Sequence, residues 1–311
     1  MNSQVSKVKV FTATAFVLSI VGAVSYLLSY LLATDGTDYF ISGHPIPLLS
    51  HILSIVSVLW FACPLLLIPK GALPEADFIA GTKKPSIISA APIIGTLSAA
   101  AISFTYYEPA DLLGVLTRQH ALDTTVICVF LTLIGIILSA AYYLLRIANP
   151  SGLNGAVVML GLGPIALMTG LCGLTYFELD HHMNAPAKIG MQMAWIATML
   201  YLISELRVTL GKAQPRRYLS MASIALYANA CACIPFFTSL PNATTVHSAR
   251  IVGFALFCLC NCLYVGYRLI QFCHLCSMTD DAPDANAAAI PEQTHGKDDQ
   301  DGCQQQDSMA S

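Results

Sequence analysis

The sequence predicts an all-α, polytopic integral membrane protein: a bundle of eight transmembrane helices, built as four hairpins with both termini cytoplasmic. Three observations lead there. Of 311 residues, 56% are hydrophobic and 11% are charged, under half the charged share of about 25% usual in a soluble domain. Mean hydropathy is +0.65. The apolar residues also gather into runs of the length, about 20 residues, that a helix needs to cross a bilayer core.

Eight such runs lie at 10–33, 46–69, 85–107, 122–146, 155–177, 189–207, 218–240 and 249–272. The first is longer than the apolar core of a signal peptide, about 7–15 residues, and no clear A-x-A site follows, so it reads as a retained span. The second holds His51, the one histidine within a span, and Pro64. In the third, Ala91, Gly95, Ala99 and Ser103 step by four along one face; small residues in such a row let membrane helices approach closely. The fourth ends on Tyr142, Tyr143 and Arg146. In the fifth, Ala156, Gly163 and Gly170 step by seven, so the third and fifth spans are expected to be central. The sixth carries Gln192 and Trp195 and closes on Glu205-Leu206-Arg207. The seventh opens on Arg216-Arg217-Tyr218 and contains Asn229. The eighth holds Asn261 among Cys258, Cys260 and Cys262. Pro64, Pro92, Pro164 and Pro235 are expected to kink their helices by removing a backbone donor.

Charge sets the orientation. Lys7, Lys9, Lys70, Lys83, Lys84, Arg146, Arg207, Lys212, Arg216, Arg217, Arg268 and Lys297 fall on one face, and only Arg118, Lys188 and Arg250 on the other. Cytoplasmic loops collect Lys and Arg, which places both termini inside and suits a plasma or cytoplasmic membrane. Tyrosines and phenylalanines gather at the span ends, where amphipathic rings favour the interface. Two domains are expected: an eight-span membrane domain, 1–276, and a disordered acidic cytoplasmic tail, 277–311. The tail holds eight of the eighteen acidic residues and one basic residue, Lys297, and has too little apolar surface to fold alone.

An internal repeat is weakly visible. Thr105-Tyr106-Tyr107-Glu108 closes the third span and Thr175-Tyr176-Phe177-Glu178 the fifth, 70 residues on; Pro92 and Pro164 are 72 apart. The pattern suggests two related hairpins in parallel.

No connection is much longer than about 15 residues, too short for a folded catalytic domain. A basic body with an acidic tail points away from nucleic acid. The expected partners are the lipid bilayer and a membrane or cytoplasmic protein. The mid-membrane parts of all eight spans lack Asp, Glu, Lys and Arg. Carriers coupled to ions commonly keep a carboxylate there, so that absence weighs against them.

One constellation carries chemistry. His44, His120, Glu178, Asp180, His181, His182 and His247 lie in the four loops of the outer face. Imidazole and carboxylate are the ligands of zinc and similar ions, so a divalent metal at the outer face is the cofactor to consider. Imidazoles near carboxylates also change charge between about pH 5 and 8, as an acid sensor would require. No H-E-x-x-H spacing accompanies them. At the inner face, Glu205, Arg207, Arg216 and Arg217 form a candidate cytoplasmic interface, read first as an ion-pair cluster anchoring the sixth span. The favoured function is a permease-type protein for a small solute or ion. A membrane sensor or complex subunit reading the outer face is the first alternative, and a metal-dependent integral membrane enzyme the second.

Overall fold

A computed structural model gives the architecture and describes residues 3–34, 39–73, 90–106, 114, 124–148, 155–177, 185–210, 212, 214–235 and 245–281. The chain divides into a unit Met1–Asp280, which holds the helices, and a unit Asp281–Ser311, described only at Asp281. Among the described residues there is no strand, only an isolated bridge between Thr34 and Phe40.

Among the described residues ten helices follow in order: α1 (Ser3–Leu32), α2 (Pro45–Ala62), α3 (Pro64–Leu67), α4 (Ala91–Tyr106), α5 (Thr124–Ala148), α6 (Gly155–Leu160), α7 (Leu162–Phe177), α8 (Pro186–Thr209), α9 (Pro215–Ala232) and α10 (Thr245–Asp281). Four begin on proline, Pro45, Pro64, Pro186 and Pro215, where the missing N–H would have no helical partner anyway. The expected boundary at 276 falls inside α10. The rest of the tail, 282–311, lies outside the described residues.

Among the described residues six stretches are long and apolar enough to cross a membrane: Gln4–Leu32, Pro45–Leu67, Thr124–Ala148, Val158–Phe177, Pro186–Thr209 and Val252–Ser277. Their outward side chains are aliphatic, among them Val17, Ile20 and Leu28 on α1, Leu48 and Ile55 on α2, and Ile134 and Ile137 on α5. A continuous exposed apolar surface of this kind belongs in lipid. The chain is thus membrane-embedded and multi-pass.

Two of the eight expected runs do not meet that standard. Helix α4 has 16 described residues. Helix α9 has 18 and includes Ser220, Ser223 and Asn229, all buried. The cause in α9 is its position. Only Arg217 on it is exposed, so it meets other helices and not lipid; Asn229 bonds to Thr198 of a neighbouring helix and Ser223 to Leu219 O of its own. The helix most enclosed is α9, which the small-residue rows do not single out; the fifth span is itself half buried.

The small-residue faces nonetheless pack as their spacing predicts. A side chain at Gly135 or Gly163 would collide with the backbone of the opposite helix in the α5–α7 pair, and one at Gly170 with Thr132. Gly95 of α4 faces Cys260 of α10. Breaks occur at Cys63, Gly161 and Cys233, each one to three residues before Pro64, Pro164 or Pro235. Pro92 lies in the first turn of α4 and does not interrupt it. Helices α4 and α7, the first arms of the suspected repeat, are both 16 residues long with proline in the opening turn.

Hydrogen bonds tie one end of the bundle together. Lys7 Nζ donates to the Leu67 carbonyl at 3.2 Å. Arg216 Nη1 donates to Leu65 O at 2.9 Å and Ile68 O at 3.0 Å. Cations here meet carbonyls left open at a helix end. This basic end joins the starts of α1 and α9 to the α3 turn. Toward the other end, Arg250 of α10 donates to Thr105 Oγ1 at 3.1 Å and Thr105 O at 2.9 Å.

Candidate functional site

A cavity of about 340 Å³ opens between α2 and α8, with α9 as its floor and Tyr26 of α1 at its edge. Its size sits at the lower end of small-molecule sites, about 300–1,000 Å³. Most of the wall is aliphatic: Val58, Ile189, Met193, Ile196, Leu200 and Ile224. The polar groups are Tyr26, His51, Ser54, Tyr227 and Cys231. An apolar pocket with a few convergent polar groups is the usual form of a ligand site.

The hydroxyl network has a direction. Ser54 Oγ donates to Ser50 O at 2.9 Å, which uses its one proton. The Tyr227 hydroxyl, 2.9 Å from Ser54 Oγ, is therefore the donor in that pair. His51 points Nδ1 at the Pro47 carbonyl. A carbonyl only accepts, so Nδ1 carries the proton and Nε2 is left as an acceptor. Phe40 packs edge-on against the imidazole at 6.1 Å. The polar rim of the cavity therefore offers two acceptors, the Tyr227 oxygen and the His51 Nε2, with the Tyr26 hydroxyl at its edge.

Below the level of the cavity, toward the basic end, α8 and α10 share a buried ion pair. Arg268 Nε lies 3.0 Å from Glu205 Oε1, with side-chain exposures of 6% and 2%. The Tyr264 hydroxyl donates to the same oxygen at 2.7 Å, and Arg268 Nη1 donates to Gln271 Oε1 at 2.7 Å. Tyr201 and Tyr218 meet at 5.7 Å between ring centroids, and Tyr201 and Tyr143 each pack against Tyr264. Higher in the bundle, Asn229 Nδ2 donates to Thr198 Oγ1 at 2.7 Å, and Asn229 Oδ1 accepts from Asn261 at 3.5 Å. These bonds are the interhelical role expected of the two asparagines. Trp195 is fully buried and donates to Thr175 Oγ1 at 3.1 Å.

No protein family, curated protein or solved structure matches this chain.

The structure places the sequence-predicted residues unevenly. His44 is the N-cap of α2, its ring accepting from Ile46 N at 3.4 Å. His247 lies in the first turn of α10. His120, Glu178, Asp180, His181 and His182 lie outside the described residues. No three His, Cys, Asp or Glu come together as a metal-sized group among the residues described. Of the inner group, Arg207 and Arg217 are exposed, Arg216 holds the α3 turn, and Glu205 is buried against Arg268. Arg268, counted with the inner surface, lies within the bundle, and Lys188, counted with an outer loop, is fully buried in the first turn of α8. Sequence reasoning did not find the cavity. Its only hint was His51, a lone imidazole inside a span.

Proposed function

We propose that the protein is a permease-type membrane protein for a small, mainly apolar molecule bearing one hydrogen-bond donor, a hydroxyl or a neutral amide. The cavity between α2, α8 and α9 carries this reading. Its aliphatic wall suits a hydrocarbon body, and its acceptor rim suits a donor on that body. Among the described residues no carboxylate lines it, so a neutral ligand fits better than a cation. Eight spans, with α4 and α9 completing the bundle and both termini cytoplasmic, belong to the same reading. The cavity then loads from the outer half of the membrane.

A medium-chain branched alcohol and its methyl ether make the test, because the ether has the body and lacks the donor. In detergent, the alcohol should raise the thermal midpoint more than the ether. In proteoliposomes, it should cross faster than in protein-free vesicles, and Gly190→Leu, which projects a side chain into the cavity, should abolish both effects. Equal responses to alcohol and ether would sink the proposal.

A second reading has its own support. The ion pair and tyrosines bind α8 to α10 beneath the cavity, as suits a sensor that holds a ligand without passing it. Alcohol-selective binding with no flux would favour it over the permease.

A further inference from the structure

We propose that the basic end of the bundle holds a binding site for a phosphate group, carried by an anionic lipid headgroup or by a soluble phosphate ester. The site is a second recess of about 340 Å³, where the turn after α3 meets the first turn of α9. Lys70, Arg216 and Arg217 line it together with Gln214, and among the described residues no carboxylate does. Lys70 and Arg217 are exposed, and neither has an acidic partner among the described residues.

Each wall contributes something an oxyanion needs. Arg216 is held in place by its two bonds to Leu65 O and Ile68 O, which leaves the rest of its planar fork of donors already oriented. Helix α9 starts at Pro215, and the first amide to find a partner across this turn is that of Tyr218, bonded to Gln214 O at 2.9 Å. The amides of Arg216 and Arg217 precede it, at the positive end of the helix. On the opposite wall the chain reverses at Gly71, with φ at 77°, a conformation that glycine adopts without strain. The reversal puts Lys70 and Leu73 on the same recess.

Two further observations bear on what brings the phosphate. The side-chain oxygen of Gln214 is buried with no donor. A ligand with a hydroxyl close to its phosphate would satisfy it, as glycerol and inositol headgroups do. Beside the recess, Leu66 is 86% exposed and Leu67 52%. Bare leucines next to a cationic pocket are what a membrane interface tolerates, with acyl chains against the leucines and the headgroup in the pocket.

The test compares full-length protein in phosphatidylcholine nanodiscs with and without phosphatidylglycerol, and in detergent with glycerol phosphate or inorganic phosphate. Thermal midpoint and lipid retained in native mass spectrometry are the readouts. The variant is Lys70→Ala with Arg217→Ala; Arg216 is left intact because it holds the turn. Lys9→Ala with Arg207→Ala, both exposed and outside the recess, removes the same charge. Phosphatidylglycerol should raise the wild-type midpoint by about 3 °C or more and one molecule should stay bound. The recess variant should lose both and the control variant neither. If glycerol phosphate or inorganic phosphate matches the lipid, the soluble source is the right one. No preference over phosphatidylcholine together with no response to either phosphate would overturn the site, and so would equal losses in the two variants, which would mean unspecific charge attraction. The alcohol experiment on the other cavity is unaffected by either result.

Discussion

Removing one partner of the Glu205–Arg268 pair should harm the bundle more than removing both. With charge centres about 4 Å apart, the Coulomb attraction is about 4 kcal/mol at an effective dielectric constant of about 20. Both side chains are nearly inaccessible, at 2% and 6% exposure, so water cannot take over the role of a missing partner. Glu205→Leu strands a guanidinium in the interior, and Arg268→Met strands a carboxylate; each should cost about 3–5 kcal/mol. The double variant leaves no charge uncompensated. Its remaining losses are the acceptor of the Tyr264 hydroxyl, now 2.7 Å from Glu205 Oε1, at about 1–3 kcal/mol, and the bond to Gln271 Oε1, which water replaces at that partly exposed side chain. The double variant should therefore be more stable than either single. The assay is unfolding by dodecyl sulfate titration in maltoside micelles, followed by the fluorescence of Trp60 and Trp195. A double variant whose loss equals the sum of the single losses would refute the reasoning, since each residue would then be acting through contacts outside the pair.

The remaining predictions concern packing, the cavity rim and the basic end. Gly135→Ala places a Cβ 2.5 Å from the backbone nitrogen of Leu167, so α5 and α7 must part, at about 1–3 kcal/mol in the same titration. Gly190→Ala meets nothing within 4 Å and should be neutral or slightly stabilising, because alanine is the better helix former. Tyr227→Phe should cost about 1 kcal/mol through the lost bond to Ser54 and narrow the difference between alcohol and ether binding, measured by thermal midpoint. Arg216→Ala frees the carbonyls of Leu65 and Ile68 and should cost about 1.5–3 kcal/mol, the range for bonds to a charged donor; limited proteolysis near residue 70 should become faster.

Membership of the membrane, the approximate helix runs and the close-packed faces of α4 and α7 were determined by the sequence alone. The physical reason is that lipid acts on each segment separately: backbone groups must be satisfied within a helix, and each outward side chain must be apolar. A run of residues carries that information by itself, as does a row of small residues at helical spacing. What surrounds a helix is a different kind of fact. Helix α9 reads as a weak span because it is enclosed, and local hydropathy cannot separate a polar residue facing a loop from one facing Thr198 or Asn261. Glu205 looked like a neighbour of Arg207, two residues away, yet its partner is Arg268, on another helix. The polar rim of the cavity gathers Tyr26, Ser54 and Tyr227 from three helices. Such pairings depend on the rotation and stacking of whole helices, which many weak contacts set together, and only the tertiary structure decided them.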